Sequence, residues 1–305
     1  MRRGRIAKRK GNEMGNMQLP DKVQNLLADE GYKTDDMGMS GSSVLLYENK
    51  VLKVQENSEE AGNEVRMLRY LKGKLPVPDV IFHEIIEEKS YLLMEKCKGQ
   101  MACAPEYMAD PTVQCRLLAD GLKRLWSIDF EECPSDQRLS HKLKQARYNI
   151  ENGLVDLENV EPDTFGEKGF KDPADLLRWL YDNRPKEELV LSHGDYCLPN
   201  IFGIRGNVSG YIDLGKTGIA DKWCDIALCY RSLSHNYCGK YHDFGKNREN
   251  ASSGFDDRTV PPLAAGLTGL PPLPLQDCGL GLFRELGLEP NWEKIRYYIL
   301  LDELF

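Results

Sequence analysis

The chain contains no apolar run approaching the ~18 to 20 residues that a membrane-spanning helix needs, so no membrane partner is expected. It has no Cys-x-x-Cys pair either. Its nine cysteines are an odd number, scattered so widely that the nearest two are Cys224 and Cys229. This argues against a zinc or disulfide framework and for free thiols in a reducing compartment. An excess of basic charge is also missing: 40 Lys and Arg face 48 Asp and Glu, a formal net charge of −8. That balance disfavours nucleic acid as a partner and suits a cationic or metal-nucleotide ligand. The N-terminus "MRRGRIAKRKGNEMGN" is basic but lacks the apolar segment of a secretory signal. A cytoplasmic location follows as the expectation, while the oligomeric state is not legible. Residues 1–16 read as a disordered tail, with Met14 and Met17 as alternative starts.

What is present suffices for a real core, since 41% of 305 residues are hydrophobic, a length between one large domain and two modest ones. Regular structure is expected from "LPDKVQNLLADEGYK", a short amphipathic helix. Two β-rich runs, Val44 to Tyr47 and Lys50 to Val54, then form a hairpin behind a loop of small residues, Ser40 to Ser43. A helix from about Ser58 to Leu71 is closed by Gly73, Pro76 and Pro78, and "VIFHEII" and "SYLLMEK" read as two further strands.

From Cys97 the texture becomes helical, with helices at about 111–127, 139–152 and 173–183, the last capped by Asp172. Between the second and third lies an acidic loop, "DLENVEPDTFGEKGF", read as too polar for the core. Strand "LVL", loop "SHGDYCLPN", strand "VSGYID" and helix "DKWCDIALCYRSL" follow. Residues 245 to about 279, holding five of the 16 prolines without helical or strand period, read as a flexible Pro/Gly-rich insertion. Structure is expected to resume at "LFRELGLEP" and end in a helix capped by Asn291. The outline is α+β: a small antiparallel-sheet N-terminal lobe over 17–97 and a larger helical lobe over 98–305.

The informative motif is His193-Gly194-Asp195, with Asn200 five residues beyond Asp195 and then Ile212-Asp213-Leu214-Gly215. Phosphoryl transfer through a loose transition state asks for few parts. These are an acid near the acceptor hydroxyl, oxygen ligands for Mg²⁺, a lysine on the phosphates, and a carboxylate holding that lysine. Asp195 is the candidate base or hydroxyl-orienting group. Asn200 and Asp213 offer the hard oxygens that suit Mg²⁺, and His193 reads as a brace for the loop. Lys53, flanked by apolar residues in "VLKV", needs a counter-charge, and Glu64 on the next helix is the natural one. A lone Asp before a turn would be read as a cap; three polar residues at set spacing beside strand ends read as chemistry.

With those residues in hand, the chain from about Leu19, apart from the insertion, resembles the aminoglycoside 3'-phosphotransferases, enzymes of the two-lobed protein-kinase-like fold. The likeness runs through "GMS", "GKLPVP", "YLLM", "SIDFEECP", "FKDP", "EELVLSHGD", "IDLGKTGIADKWCDIALC" and the terminal "NWEKIRYYILLDELF". It implies ATP-dependent phosphorylation of the 3'-hydroxyl of aminoglycoside antibiotics, conferring resistance, with Asp195 catalytic and Asn200 and Asp213 binding magnesium. It further implies Lys53 with Glu64 as the nucleotide-phosphate pair, Ser40 in the nucleotide loop, and the Glu95 and Cys97 backbone on the adenine edge. Glu158, Glu161, Glu303 and the terminal carboxylate of Phe305 would line the site of the polycationic drug. The chain departs from relatives at Val51, at Lys216, and at Ser234, His235 and Asn236, where some relatives carry an aromatic, an Arg and acidic residues. A kinase of the same fold acting on another hydroxyl compound, and a catalytically silent nucleotide-binding protein, are the alternative readings.

Overall fold

The computed structural model describes residues 19–27, 31–35, 42–161, 164–167, 169–238 and 277–305. The tail at 1–16, the proposed nucleotide-loop residue Ser40 and nearly all of the insertion lie outside the described residues.

The N-terminal part comprises α1 (Asp21–Leu27), β1 (Lys33–Asp35), β2 (Ser43–Leu46), β3 (Lys50–Glu56), α2 (Glu59–Leu71), β4 (Val80–Ile86) and β5 (Lys89–Glu95). Its five strands form one antiparallel sheet in the order β1-β2-β3-β5-β4. Alternation sets the sheet's two faces. Leu52, Val54, Tyr91 and Leu93 pack with Val23 and Leu27 of α1, whereas Leu92 and Met94 join α2 and the main core. Ser58 caps α2 by accepting from the Ala61 N–H at 3.1 Å, and Gly73 follows its end at φ +78°.

The chain continues through β6 (Gln100–Met101), α3 (Pro105–Met108), α4 (Pro111–Trp126), α5 (Leu139–Glu151), α6 (Pro173–Asp182) and β7 (Leu189–Ser192). It closes with β8 (Ile201–Ile204), β9 (Asn207–Tyr211), β10 (Gly218–Asp221), α7 (Lys222–Cys238), α8 (Asp277–Leu286) and α9 (Trp292–Asp302). The expected caps are in place: Asp172 accepts from the Asp175 N–H and Asn291 from the Lys294 N–H. Two small sheets, β10-β7 and β6-β8-β9, sit among the helices and carry the motif loops. The resulting α+β architecture is a two-lobed, protein-kinase-like fold, and one hydrophobic core runs from α2 and β5 through α4, α7 and α9.

Three expectations need correction. Helix α8 begins at Asp277, upstream of "LFRELGLEP", so residues 277–279 belong to a helix and not to the insertion. Its glycines mark close approach: a Cβ on Gly279 would stand 2.6 Å from the Tyr230 ring, and one on Gly281 would stand 3.1 Å from Cys115 Sγ. The acidic loop reaches the core, since Phe170 is buried against Trp179 and Thr164 is buried as well. The strand read as "VSGYID" ends at Tyr211, because Asp213 turns into the left-handed region at φ 60°, ψ 57°. Among the described residues no helix is long and apolar enough to cross a membrane, and seven of the nine cysteines, those from Cys97 to Cys229, take part in no disulfide.

Candidate active site

Strand β7 delivers the loop of His193, Gly194 and Asp195, and its pairing with β10 sets Ser192 opposite Gly218. Gly194 has φ +82°, and a Cβ there would lie 2.0 Å from the Lys216 carbonyl oxygen, so only glycine lets the two loops close together. His193 is fully buried; its Nε2 meets the Ile212 carbonyl at 3.0 Å while its Nδ1 accepts from the Asp195 N–H at 3.3 Å. One nitrogen donates and the other accepts, which fixes the tautomer and ties the Asp195 loop to the strand end before Asp213. The ring braces, as its position in the motif suggested.

Below this loop lies a residue the motif reading passed over. Asp225, buried on α7, accepts from Ser192 Oγ at 2.8 Å, from the Gly194 N–H at 3.0 Å, from the His193 N–H at 3.2 Å and from Trp126 Nε1 at 3.3 Å. Four donors onto one carboxylate make it the anchor of the loop. Burial nevertheless pushes its carboxyl above the ordinary range. A single charge inside the apolar run "CDIALC" was the available signal.

Asp195 itself is half-buried. Asn200 Nδ2 donates to both the Asp195 main-chain oxygen and Asp195 Oδ2, each at 3.0 Å. Since the amide nitrogen must face those two acceptors, Asn200 Oδ1 is turned away from Asp195, a hard oxygen with no protein donor among the described residues. In the N-terminal part, Lys53 Nζ of β3 lies 2.9 Å from Glu64 Oε2 of α2 and 2.8 Å from Asp213 Oδ1. Burial alone would lower the Lys53 ammonium, but these two carboxylates hold it above the lysine range. Burial likewise pushes Asp213 up, and Lys53 with Lys216 more than offsets this, leaving its carboxyl below the ordinary value. Asp213 Oδ2 has no protein donor among the described residues, and its left-handed backbone is the kind of strain that active sites hold. Asn200 and Asp213 therefore offer one amide and one carboxylate oxygen, a donor set that fits Mg²⁺ with waters completing its shell.

Helix α2 is fastened to the motif by Asn63, also missed in the sequence, whose Nδ2 donates to the Gly215 and Thr217 carbonyls at 2.8 and 2.9 Å. Glu95 ends β5 with its side chain exposed, and Cys97 follows two residues on. Burial pushes the Cys97 thiol up to about 12, so its side chain is a neutral packing group.

The residues expected to face a polycation divide. Glu161 and Glu303 meet, the Glu161 N–H donating to Glu303 Oε2 at 2.8 Å, whereas the Glu158 side chain is exposed. Arg231 of α7, not anticipated, donates to Glu303 Oε1 at 3.2 Å and pairs with Asp302. His235, one turn further on, lies 2.9 Å from Glu161 Oε1. Burial raises the Glu303 carboxyl to about 7 against the pull of the Glu161 N–H and Arg231. Phe305 places its ring near Lys216 Nζ, 5.7 Å from the ring centre, in a cleft shared with Glu60 and Asp302.

This arrangement defines a phosphotransferase of kinase-like build: a lysine held by a helix carboxylate on one side, an Asp-Asn-Asp set on the other. Comparison with known proteins agrees. Residues 35–261 match the model of the phosphotransferase enzyme family. An aminoglycoside 3'-phosphotransferase of Enterococcus faecalis is 35% identical over 96% of this chain and 100% of its own length. The crystal structure of an aminoglycoside-3'-phosphotransferase of type VIII superposes with a TM-score of 0.70 at 25% identity, covering 93% of this chain and 97% of that one. A Streptomyces rimosus aminoglycoside phosphotransferase, APH(3'')-Id in complex with ADP and streptomycin, shares the fold at a TM-score of 0.68 and 20% identity, covering 92% and 95%. The chain belongs to the phosphotransferase enzyme family and, within it, to the aminoglycoside 3'-phosphotransferases.

Proposed function

We propose that this chain transfers the γ-phosphoryl group of ATP to the 3'-hydroxyl of an aminoglycoside such as kanamycin, acting in the cytoplasm as a resistance enzyme. The observation that carries the reading is the orientation of Asp195: half-buried, steered through Oδ2 by Asn200, and tied through His193 to the Ile212 carbonyl just before Asp213, which pairs with Lys53. Asp195 receives the hydrogen bond of the acceptor hydroxyl and aligns its oxygen for direct, in-line attack, with no phosphorylated residue on the way. Glu64 keeps the Lys53 ammonium charged and fixed for the nucleotide phosphates. Asn200 and Asp213 would hold Mg²⁺, and the metal nucleotide would supply the phosphoryl group and the neutralisation of its oxygens.

The N-terminal lobe, 17–97, is the nucleotide-binding part in this reading, with the Glu95 and Cys97 backbone on the adenine edge and Ser40 in the covering loop. The lobe over 98–305 binds the acceptor through Glu158, Glu161, Glu303 and the terminal carboxylate of Phe305, since a hydroxyl-rich polycation calls for carboxylates instead of apolar walls. The test is ADP release by purified protein with Mg-ATP, comparing kanamycin with tobramycin, which lacks the 3'-hydroxyl. Release with kanamycin alone is expected. Equal release with both would refute the 3'-position, and ATP binding without release would refute the acceptor class.

A further inference from the structure

The cleft that holds Lys216 and the Phe305 ring is lined by a second lysine, Lys142 of α5, together with Cys224 and Leu228 of α7. Lys142 is only 9% exposed. Among the described residues its Nζ has a single polar partner, Cys224 Sγ at 3.5 Å, and it forms no ion pair. A thiol sulfur is a weak acceptor. Burial pushes that thiol up to about 11 against the pull of Lys142, so the sulfur stays neutral and offers no counter-charge. Asp302, a carboxylate whose field reaches Lys142, is already paired with Arg231. Glu59 and Glu60 of α2 line the same cleft and form no ion pair with Lys142.

An ammonium group has three donors and no acceptor, and burying it is costly unless those donors are met. A buried polar group left short of partners within the protein calls for one supplied from outside it. Whatever part of an acceptor enters this end of the cleft meets N–H donors that carry positive charge. A hydroxyl answers them, because its oxygen accepts. An ammonium group does not, because it has only donors and the same charge. We propose that Lys142 is a specificity-determining residue of the acceptor site, selecting a hydroxyl against an ammonium group at the acceptor position that faces it. This deepens the function proposed above and rests on it.

Three kanamycins differ at the relevant groups. On the ring that bears the 3'-hydroxyl, kanamycin B has amino groups at both 2' and 6'; kanamycin A has a hydroxyl at 2' instead, and kanamycin C a hydroxyl at 6'. The acceptor KM is measured for all three with the full-length wild type, Lys142→Met and Lys142→Arg, and the nucleotide KM is taken alongside. In the wild type either A or C has a KM roughly tenfold below that of B, the scale of one like-charge contact removed from a shielded cleft. Lys142→Met keeps the apolar stem without the charge, so the ratio falls to near one. Lys142→Arg keeps the charge and with it the preference for the hydroxyl. The nucleotide KM is unchanged in both variants.

A wild-type KM for kanamycin B equal to or below those of A and C would overturn the assignment with no variant needed. So would a preference that survives in Lys142→Met. Should Lys142→Met not fold, Lys142→Gln removes the charge in its place and is read in the same way. Absence of turnover with all three would refute the proposed function itself, while calorimetric binding of the same three kanamycins still reads the preference, and equal affinities there would overturn this inference as well.

Discussion

Gly194 and Asp195 are neighbours under opposite constraints, one needing the absence of a side chain and the other needing its carboxylate. Gly194→Ala forces φ +82° on an L-residue and a Cβ onto the Lys216 carbonyl. A loss of at least about 1 kcal/mol is expected from the backbone alone, read as a lowered denaturation midpoint. Asp195→Asn keeps the shape and removes the acceptor of the hydroxyl proton. Turnover should fall by roughly 10²- to 10⁴-fold with nucleotide affinity and circular dichroism unchanged; near-normal turnover would remove the central assignment. Asp195, Asn200 and Asp213 were legible because their chemistry is tied to spacing along one short stretch. Asp225, Asn63 and Arg231 were not, because each acts on a loop or chain end 31 to 152 residues away in sequence, a relation that only folding creates.

At the scale of elements, what could be read were segments with their own punctuation. Helix α2 has Ser58 before it and Gly73 after it, α4 begins at Asp110-Pro111, and α9 follows Asn291. The short pieces around the motif escaped. Strand β8 has four residues and turns through Arg205 and Gly206, both left-handed, while β10 is defined by its partner β7 and not by alternation. Short strands of this kind exist by pairing, so their sequences carry little period. The cap of α2 has a functional consequence, because that helix presents Glu64 to Lys53. Ser58→Ala should cost about 1 kcal/mol of stability and raise the nucleotide KM while leaving the acceptor KM in place. A shift confined to the acceptor KM would show that α2 does not position the nucleotide pair.

Across the whole molecule, the site is assembled from distant parts: a strand and helix of the sheet lobe, two loops of the helical lobe, and the chain end. The Asn63 bonds bind the first two together, and Asn63→Ala would strand the Gly215 and Thr217 carbonyls in a buried position. That loss should cost roughly 2 to 4 kcal/mol. The chain end is joined to the rest through Glu303, and this contact has a pH signature. In the unfolded chain its carboxyl has the ordinary value of 4.5, and in the folded protein it stands near 7. Between those values the folded state keeps a proton that the unfolded state has released, so this group's contribution makes stability fall as pH rises, fully so by pH 7. The ceiling of the effect is about 3 kcal/mol. Glu303→Gln mimics the protonated form at every pH, so its melting temperature should match the wild type near pH 4.5 and exceed it at pH 8. A gap that is constant with pH would mean that Glu303 ionises in the folded protein as it does in water, and that Arg231 and the Glu161 N–H fully compensate its burial.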